Sequence, residues 1–166
     1  MTFIPNENEL GLQPLAVSST VQNHPLGKII RASDPTLGQG EFIYLLGLAG
    51  TVVGNSVIYD ATTYQTALSP NTIQEAAPIA VAMSANVAGQ FGWYQIGGLA
   101  TFKKTAVQVT PQLPIFQSAT AGRIFVTSTA GKQILGARSA NLTTVTSTTS
   151  TLVVLINRPA MQGHIT

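Results

Sequence analysis

Hydrophobic side chains recur at every second position through much of this chain, and the clearest run lies within residues 78–109. Ile79, Val81 and Met83 alternate there with Ala80, Ala82 and Ser84, the period of a strand with two unlike faces. A break at residues 86–89 is followed by residues 91–96, which carry three aromatics including the only Trp. Gly97 and Gly98 end that run. Alternation then resumes over residues 99–109, with Leu99, Thr101, Lys103, Thr105, Val107 and Val109 on one side. Three consecutive strands with glycine punctuation predict an antiparallel meander at the centre of the core.

Shorter runs of the same kind fill the rest of the chain. Residues 26–31, 41–49, 57–60 and 64–68 read as strands before the meander, and 115–118, 123–127, 133–139 and 152–157 after it. Turn chemistry separates them, as at Asp34-Pro35 with Gly38 and Gly40, and at Gly54-Asn55. Residues 41–49 and 152–157 are apolar enough to be buried on both sides. Residues 69–77 hold the one candidate helical turn, with Ser69 as cap and Pro70 at the first helical position. Residues 141–151 form a Thr/Ser run, either an exposed strand or a mobile loop. The expected fold class is all-β, a compact antiparallel β-barrel or sandwich of roughly eight to twelve short strands. Its expected core is Phe42, Leu45, Val57, Ile79, Val81, Trp93, Ile96, Phe125, Leu135 and Val154.

The N-terminus departs from this pattern. Residues 1–25 contain Pro5, Pro14 and Pro25 with single hydrophobics (Phe3, Ile4, Leu10, Leu12, Leu15) at no fixed period. That predicts an extended N-terminal arm with no packed element of its own. Such an arm is either a disordered tail or a strap over a neighbouring subunit, and its apolar residues favour the strap. Phe3, Ile4, Leu10 and Leu12 are therefore candidate partner contacts. The expected organisation is an arm and first strand over 1–40, a barrel or sandwich over 41–158 and a C-terminal tail over 159–166. Tyr44, Leu46, Gly47, Leu48 and Ala49 are echoed by Tyr94, Ile96, Gly98, Leu99 and Ala100, which leaves two stacked halves as an open alternative.

Composition changes this picture mainly through charge. The 166 residues suffice for one domain with a real core. Only 8% of them are charged, against about 25% in ordinary soluble domains. A free monomer keeps a charged surface to stay soluble, so this deficit suggests a surface covered in an assembly, with a Thr-coated monomer as the other reading. All the acids (Glu7, Glu9, Asp34, Glu41, Asp60, Glu75) lie at or before residue 75, and six bases follow: Lys103, Lys104, Arg123, Lys132, Arg138 and Arg158. This polarity either steers subunits together or cancels once the strands interleave. There is no Cys, which excludes disulfides and thiolate metal sites. The first ten residues lack the basic flank and apolar run of a signal peptide, and no stretch reaches the roughly 18 apolar residues of a membrane span. Synthesis in a cytoplasm without a membrane anchor is expected.

Chemistry finds little to work with. A nucleophilic triad needs a well-held His, and the two histidines sit in the arm (His24) and near the end (His164). Of the carboxylates, only Asp60 and Glu75 fall outside the arm and its flanking elements, at a turn and at the candidate helix start. No metal-ligand cluster is visible, and no cofactor is expected. Residues 119–123 and 128–132 share fragments of phosphate loops without the full spacing or a following helix, so they read as hairpin turns. Lys103 and Lys104 beside Phe102, with Arg123 further on, make a small basic patch and candidate partner contacts. Eight bases in all are thin for nucleic acid. The expectation is a protein that is not an enzyme.

The succession VVGNSVIYDATTYQTA, PIAVAMSANVAGQFGWYQIGGLATF, PIFQSATAGRIFVTSTAGKQILGARSA and LVVLINRP resembles the small capsid decoration, or cement, proteins of tailed bacteriophages. The resemblance covers about two-thirds of the chain and rests on the placing of Gly, Ala and apolar residues; the first forty residues go beyond it. It implies a compact β-barrel or sandwich without catalytic residues. It further implies a virion protein, made in the host cytoplasm, that binds the major capsid protein on the outer surface of the head. The bound form would be a homo-oligomer, a trimer in preference to a dimer, with no direct contact to nucleic acid or membrane. The competing reading is a head-fibre or tail-fibre type binding module for a host surface ligand, for which Phe91, Trp93 and Tyr94 would supply exposed aromatics.

Overall fold

The computed structural model describes residues 3–6 and 11–164. Its strands are β1 (Ile4–Pro5), β2 (Ile29–Asp34), β3 (Gly38–Leu46), β4 (Ser56–Tyr59), β5 (Thr66–Leu68), β6 (Ile79–Ala82), β7 (Phe91–Lys103), β8 (Pro114–Gln117), β9 (Ile124–Phe125), β10 (Gln133–Ser139) and β11 (Thr151–Met161). All join one antiparallel sheet in the order β1-β2-β3-β7-β11-β10-β8-β9, with β6, β4 and β5 branching from β7. No helix occurs among the described residues, and the fold is all-β as the alternation predicts.

Strand β7 organises the sheet because it is long enough to serve two neighbourhoods. Its first half pairs with β3 and β6, and its second half pairs with β11. Between them lie Gly97 and Gly98, expected to end a strand and instead found inside one. Gly98 has φ +88°, and a Cβ on it would stand 2.1 Å from the Gln39 carbonyl oxygen of β3. Absence of a side chain thus lets two backbones touch at a bulge that bends the strand without ending it. The expected three-strand meander is therefore two strands, β6 and β7, and residues 105–108 leave the sheet.

The sheet curls without closing. Single bridges span its gaps, Leu46 to Gln65 on one side of β7 and Lys104 to Ile124 on the other. The curl gathers Ala100, Phe102, Ile115, Ile134, Val154 and their neighbours into one core, and Leu45, Val57, Ala82, Tyr94 and Ile96 into a second. Of the expected core, Phe42, Leu45, Val57, Ile79, Val81, Trp93, Ile96 and Val154 are buried and Phe125 is half-buried. Leu135 is 46% exposed. The register of β10 against β11 shifts between Leu135 and Ala137, where Gly136 takes φ +71°. The alternation of β10 loses its phase at this irregularity, so Ile134 is buried and Leu135 is exposed.

Two further expectations change, and one open alternative is decided. Residues 69–77 form no helical turn: the Ser69 hydroxyl donates to the Ser56 carbonyl and the Gln117 side-chain oxygen, so it does not cap. The tail begins later than residue 159, because β11 runs to Met161, whose side chain is buried and whose N–H donates to the Ala77 carbonyl. Residues 141–150 are a loop, tied down by one bridge between Val145 and Val109.

Candidate interaction surface

The arm is extended, but it packs on its own domain. Phe3 and Leu15 are buried with Ile30, Phe42, Tyr44, Met83 and Trp93 in a third core on the opposite side of β2, β3 and β7. Gln13 holds it there. The Gln13 amide group donates to the carbonyls of Val17 and Phe91 and accepts from the Tyr44 hydroxyl and the Asn23 amide, while its own carbonyl accepts from Trp93 Nε1 at 2.9 Å. The Gln13 N–H donates to His24 Nε2 at 3.1 Å, and the His24 ring lies against Tyr44 and Trp93 at centroid distances of 5.2 and 5.4 Å. Three rings, those of His24, Tyr44 and Trp93, and one fully engaged amide make a buried polar network, which specifies a single docking position.

This settles where the candidate contacts fall. Phe3 is 7% exposed, with its ring edge-on to Phe42 at 4.9 Å, and so belongs to the third core. Ile4 is 60% exposed on the edge strand β1, and Leu12 is half-buried against the third core. Leu10 lies outside the described residues. Phe3, Pro5, Leu12, Pro14, Leu15, Ala16, Val53 and Met83 line an apolar groove of about 530 Å³. The basic candidates also divide. Lys103 is half-buried on the outer face of β7, whereas Lys104 is 1% exposed and donates from Nζ to the carbonyls of Thr105, Val107 and Thr146. Lys104 is therefore an internal clamp on two loops, and burial pushes its amine below the usual lysine range. Arg123 is half-buried, and the bridge from Lys104 to the adjacent Ile124 brings it beside the end of β7. The aromatics expected of a binding module turn inward: Trp93 and Tyr94 are buried and Phe91 is half-buried, stacked on Tyr44.

A surface that the sequence did not single out lies on the outer side of β7, β11 and β10. The register sets Leu99 opposite Leu155 and Leu155 opposite Arg138, one cross-strand row. Leu142, in the loop after β10, is 96% exposed and shares a furrow of about 360 Å³ with Leu99, Leu155 and Arg138. Further along the same face the Glu41 carboxylate accepts from Arg31 at 3.2 Å and lies 3.5 Å from Arg158 Nε, above the floor made by Gly97 and Gly98. Arg158 takes φ +43° in β11, near the bulge at Gly136. Strand pairing brought these residues together from four distant segments, which periodicity cannot reveal.

A separate furrow of about 550 Å³ carries Asp60 and Glu75 among Tyr59, Thr63, Ala76 and Pro78. The Asp60 Oδ1 accepts from the N–H groups of Thr62 and Thr63 and from the Thr63 hydroxyl, and these bonds hold its carboxyl below the usual range. Glu75 accepts from the Thr72 hydroxyl. His164 lies against Gln74, and no group of three or more His, Cys, Asp or Glu side chains suited to a metal ion exists among the described residues. No protein-family model and no curated protein matches the chain.

Proposed function

We propose that the protein is a capsid decoration, or cement, protein, binding the major capsid protein on the outer surface of a phage head and stabilising contacts between capsomers. The observation that carries the reading is the outer face of β7, β11 and β10. There Leu99, Leu155 and Leu142 meet solvent in a chain with only 8% charged residues. An exposed leucine beside two half-exposed ones, in so sparsely charged a chain, favours coverage by another protein. The role requires no cofactor and no catalytic step. Each copy adds buried area across a seam that internal pressure opens, and a homo-oligomer, a trimer in preference to a dimer, multiplies weak single contacts into avidity.

Because the arm is engaged with its own domain, the shell contact is assigned to the sheet face, with Ile4 and Leu12 at the rim of the arm as a secondary contact. Purified protein should co-sediment with assembled heads that lack it, at a fixed number of copies per head, and raise the temperature at which those heads rupture. Absence of co-sedimentation at micromolar protein overturns the reading.

A further inference from the structure

We propose that a second copy of this chain docks on the outer face of β7, β11 and β10, presenting its Asp60–Glu75 furrow to the row formed by Arg138, Leu155 and Leu99. The inference rests on the homo-oligomer part of the reading above and adds which two surfaces meet.

Charge complementarity identifies the occupant. On the receiving face Arg31 and Arg158 are already balanced by Glu41. Arg138 and Lys103 have no carboxylate within ion-pair distance among the described residues. On the presenting furrow Asp60 and Glu75 are both acidic, and neither has a base within that distance among the described residues. Hydrogen bonds from Thr62 and Thr63 keep Asp60 an anion through the physiological range. Each furrow therefore carries the charge the other lacks, and both have apolar walls, with Leu99, Leu155 and Leu142 on one and Ile58 and Pro78 on the other.

The two surfaces are separate on one molecule. Pro78 of the acidic furrow bridges to Ala160, which pairs with Leu135, three residues along β10 from Arg138, a distance of about 10 Å at strand rise. Unlike patches that pair head to tail generate a ring when the rotation closes, and a ring of three uses each patch once. Steering by opposite charge sets the register, while the leucines supply the buried area.

The test is the mass in solution, without capsids, of wild type, Arg138→Glu, Glu75→Lys and the double variant, with circular dichroism confirming the fold of each. The wild type should exceed the 17.4 kDa of one chain. Each single reversal should weaken association at least tenfold, and the double reversal, which restores opposite charges, should recover it. Leu142→Ser gives a second perturbation that cannot unfold a core, since that side chain is exposed; it too should weaken association. Rising salt should act in the same direction, because the Debye length falls from about 8 Å at 0.15 M to about 3 Å at 1 M. A wild type that stays at one chain's mass at 100 µM, or single reversals that leave the assembly intact, or a double variant that fails to recover, overturns the inference. Co-sedimentation with heads is read separately. Retained capsid binding by a monomeric reversal variant leaves the decoration reading standing, and lost capsid binding with unchanged self-association removes that reading alone.

Discussion

Lys103 and Lys104 are chemically identical neighbours with different fates, decided at the end of β7, where Lys103 is the last residue and Lys104 the first beyond it. Lys104 replaces water with three carbonyls from two loops, and its burial is the cause of its lowered amine. Lys104→Met keeps the volume but orphans those carbonyls, each costing about 1–3 kcal/mol where buried. The variant should therefore lose about 2–4 kcal/mol, while Lys103→Met should stay within about 0.5 kcal/mol. Urea unfolding of the two variants side by side checks this. Equal stabilities would show that the buried amine contributes nothing to holding residues 105–110 and 143–150.

At the scale of elements, β7 depends on the two glycines that its own pattern treats as an interruption. Gly98→Ala places a methyl 2.1 Å from a backbone carbonyl oxygen in a conformation that L residues rarely adopt. Backbone cannot swing aside as a side chain does, so the β3–β7 ladder must separate locally, at a cost of about 2–4 kcal/mol. Gly38→Ala, at φ +73° with open space around it, should cost only about 1–2 kcal/mol. Thermal melts of both variants measure the difference. A backbone irregularity also accounts for Leu135: the register shift at Gly136 breaks the alternation of β10 and leaves Leu135 on the outer face.

For the whole molecule, the arm and the pH response are the two consequences of how the cores are covered. Deleting residues 1–20 removes Phe3 and Leu15 from the third core and bares Trp93 and Tyr44. At about 1.5–3 kcal/mol per buried large apolar side chain, stability should fall by about 3–6 kcal/mol, seen as a lower urea midpoint; an unchanged midpoint would mean that the arm does not seal the fold. The tyrosines Tyr44, Tyr59 and Tyr94 are all pushed above 10.0, in each case mainly by burial. The stability gained by keeping these phenols protonated is complete below pH 10 and is lost as pH rises through their folded-state values. Lys104 acts in the opposite sense, since its folded-state value is lowered, so stability from that group rises as pH approaches 10.5. Above pH 10.5 the contribution of the amine is complete and only the phenols still act. Urea midpoints should therefore fall as pH rises beyond 10.5, with phenolate absorbance from the buried rings rising together with unfolding.

The sequence by itself determined that the molecule is β-rich, where its central strands lie and which alternate side chains fill them, because a period of two is local and survives any arrangement of the strands. It also placed Phe42 and Trp93 in the core, where both are buried. Only the tertiary structure decided that the arm belongs to its own domain, since burial of Phe3 depends on Phe42 and Trp93, far along the chain. Gly97 and Gly98 read as a stop because glycine alone signals a turn and a close backbone approach equally well, and the approaching strand β3 is invisible from within β7. The outer face was hidden for the same reason. Leu99, Leu155 and Arg138 are each unremarkable in sequence and become one row only when β7, β11 and β10 pair in register.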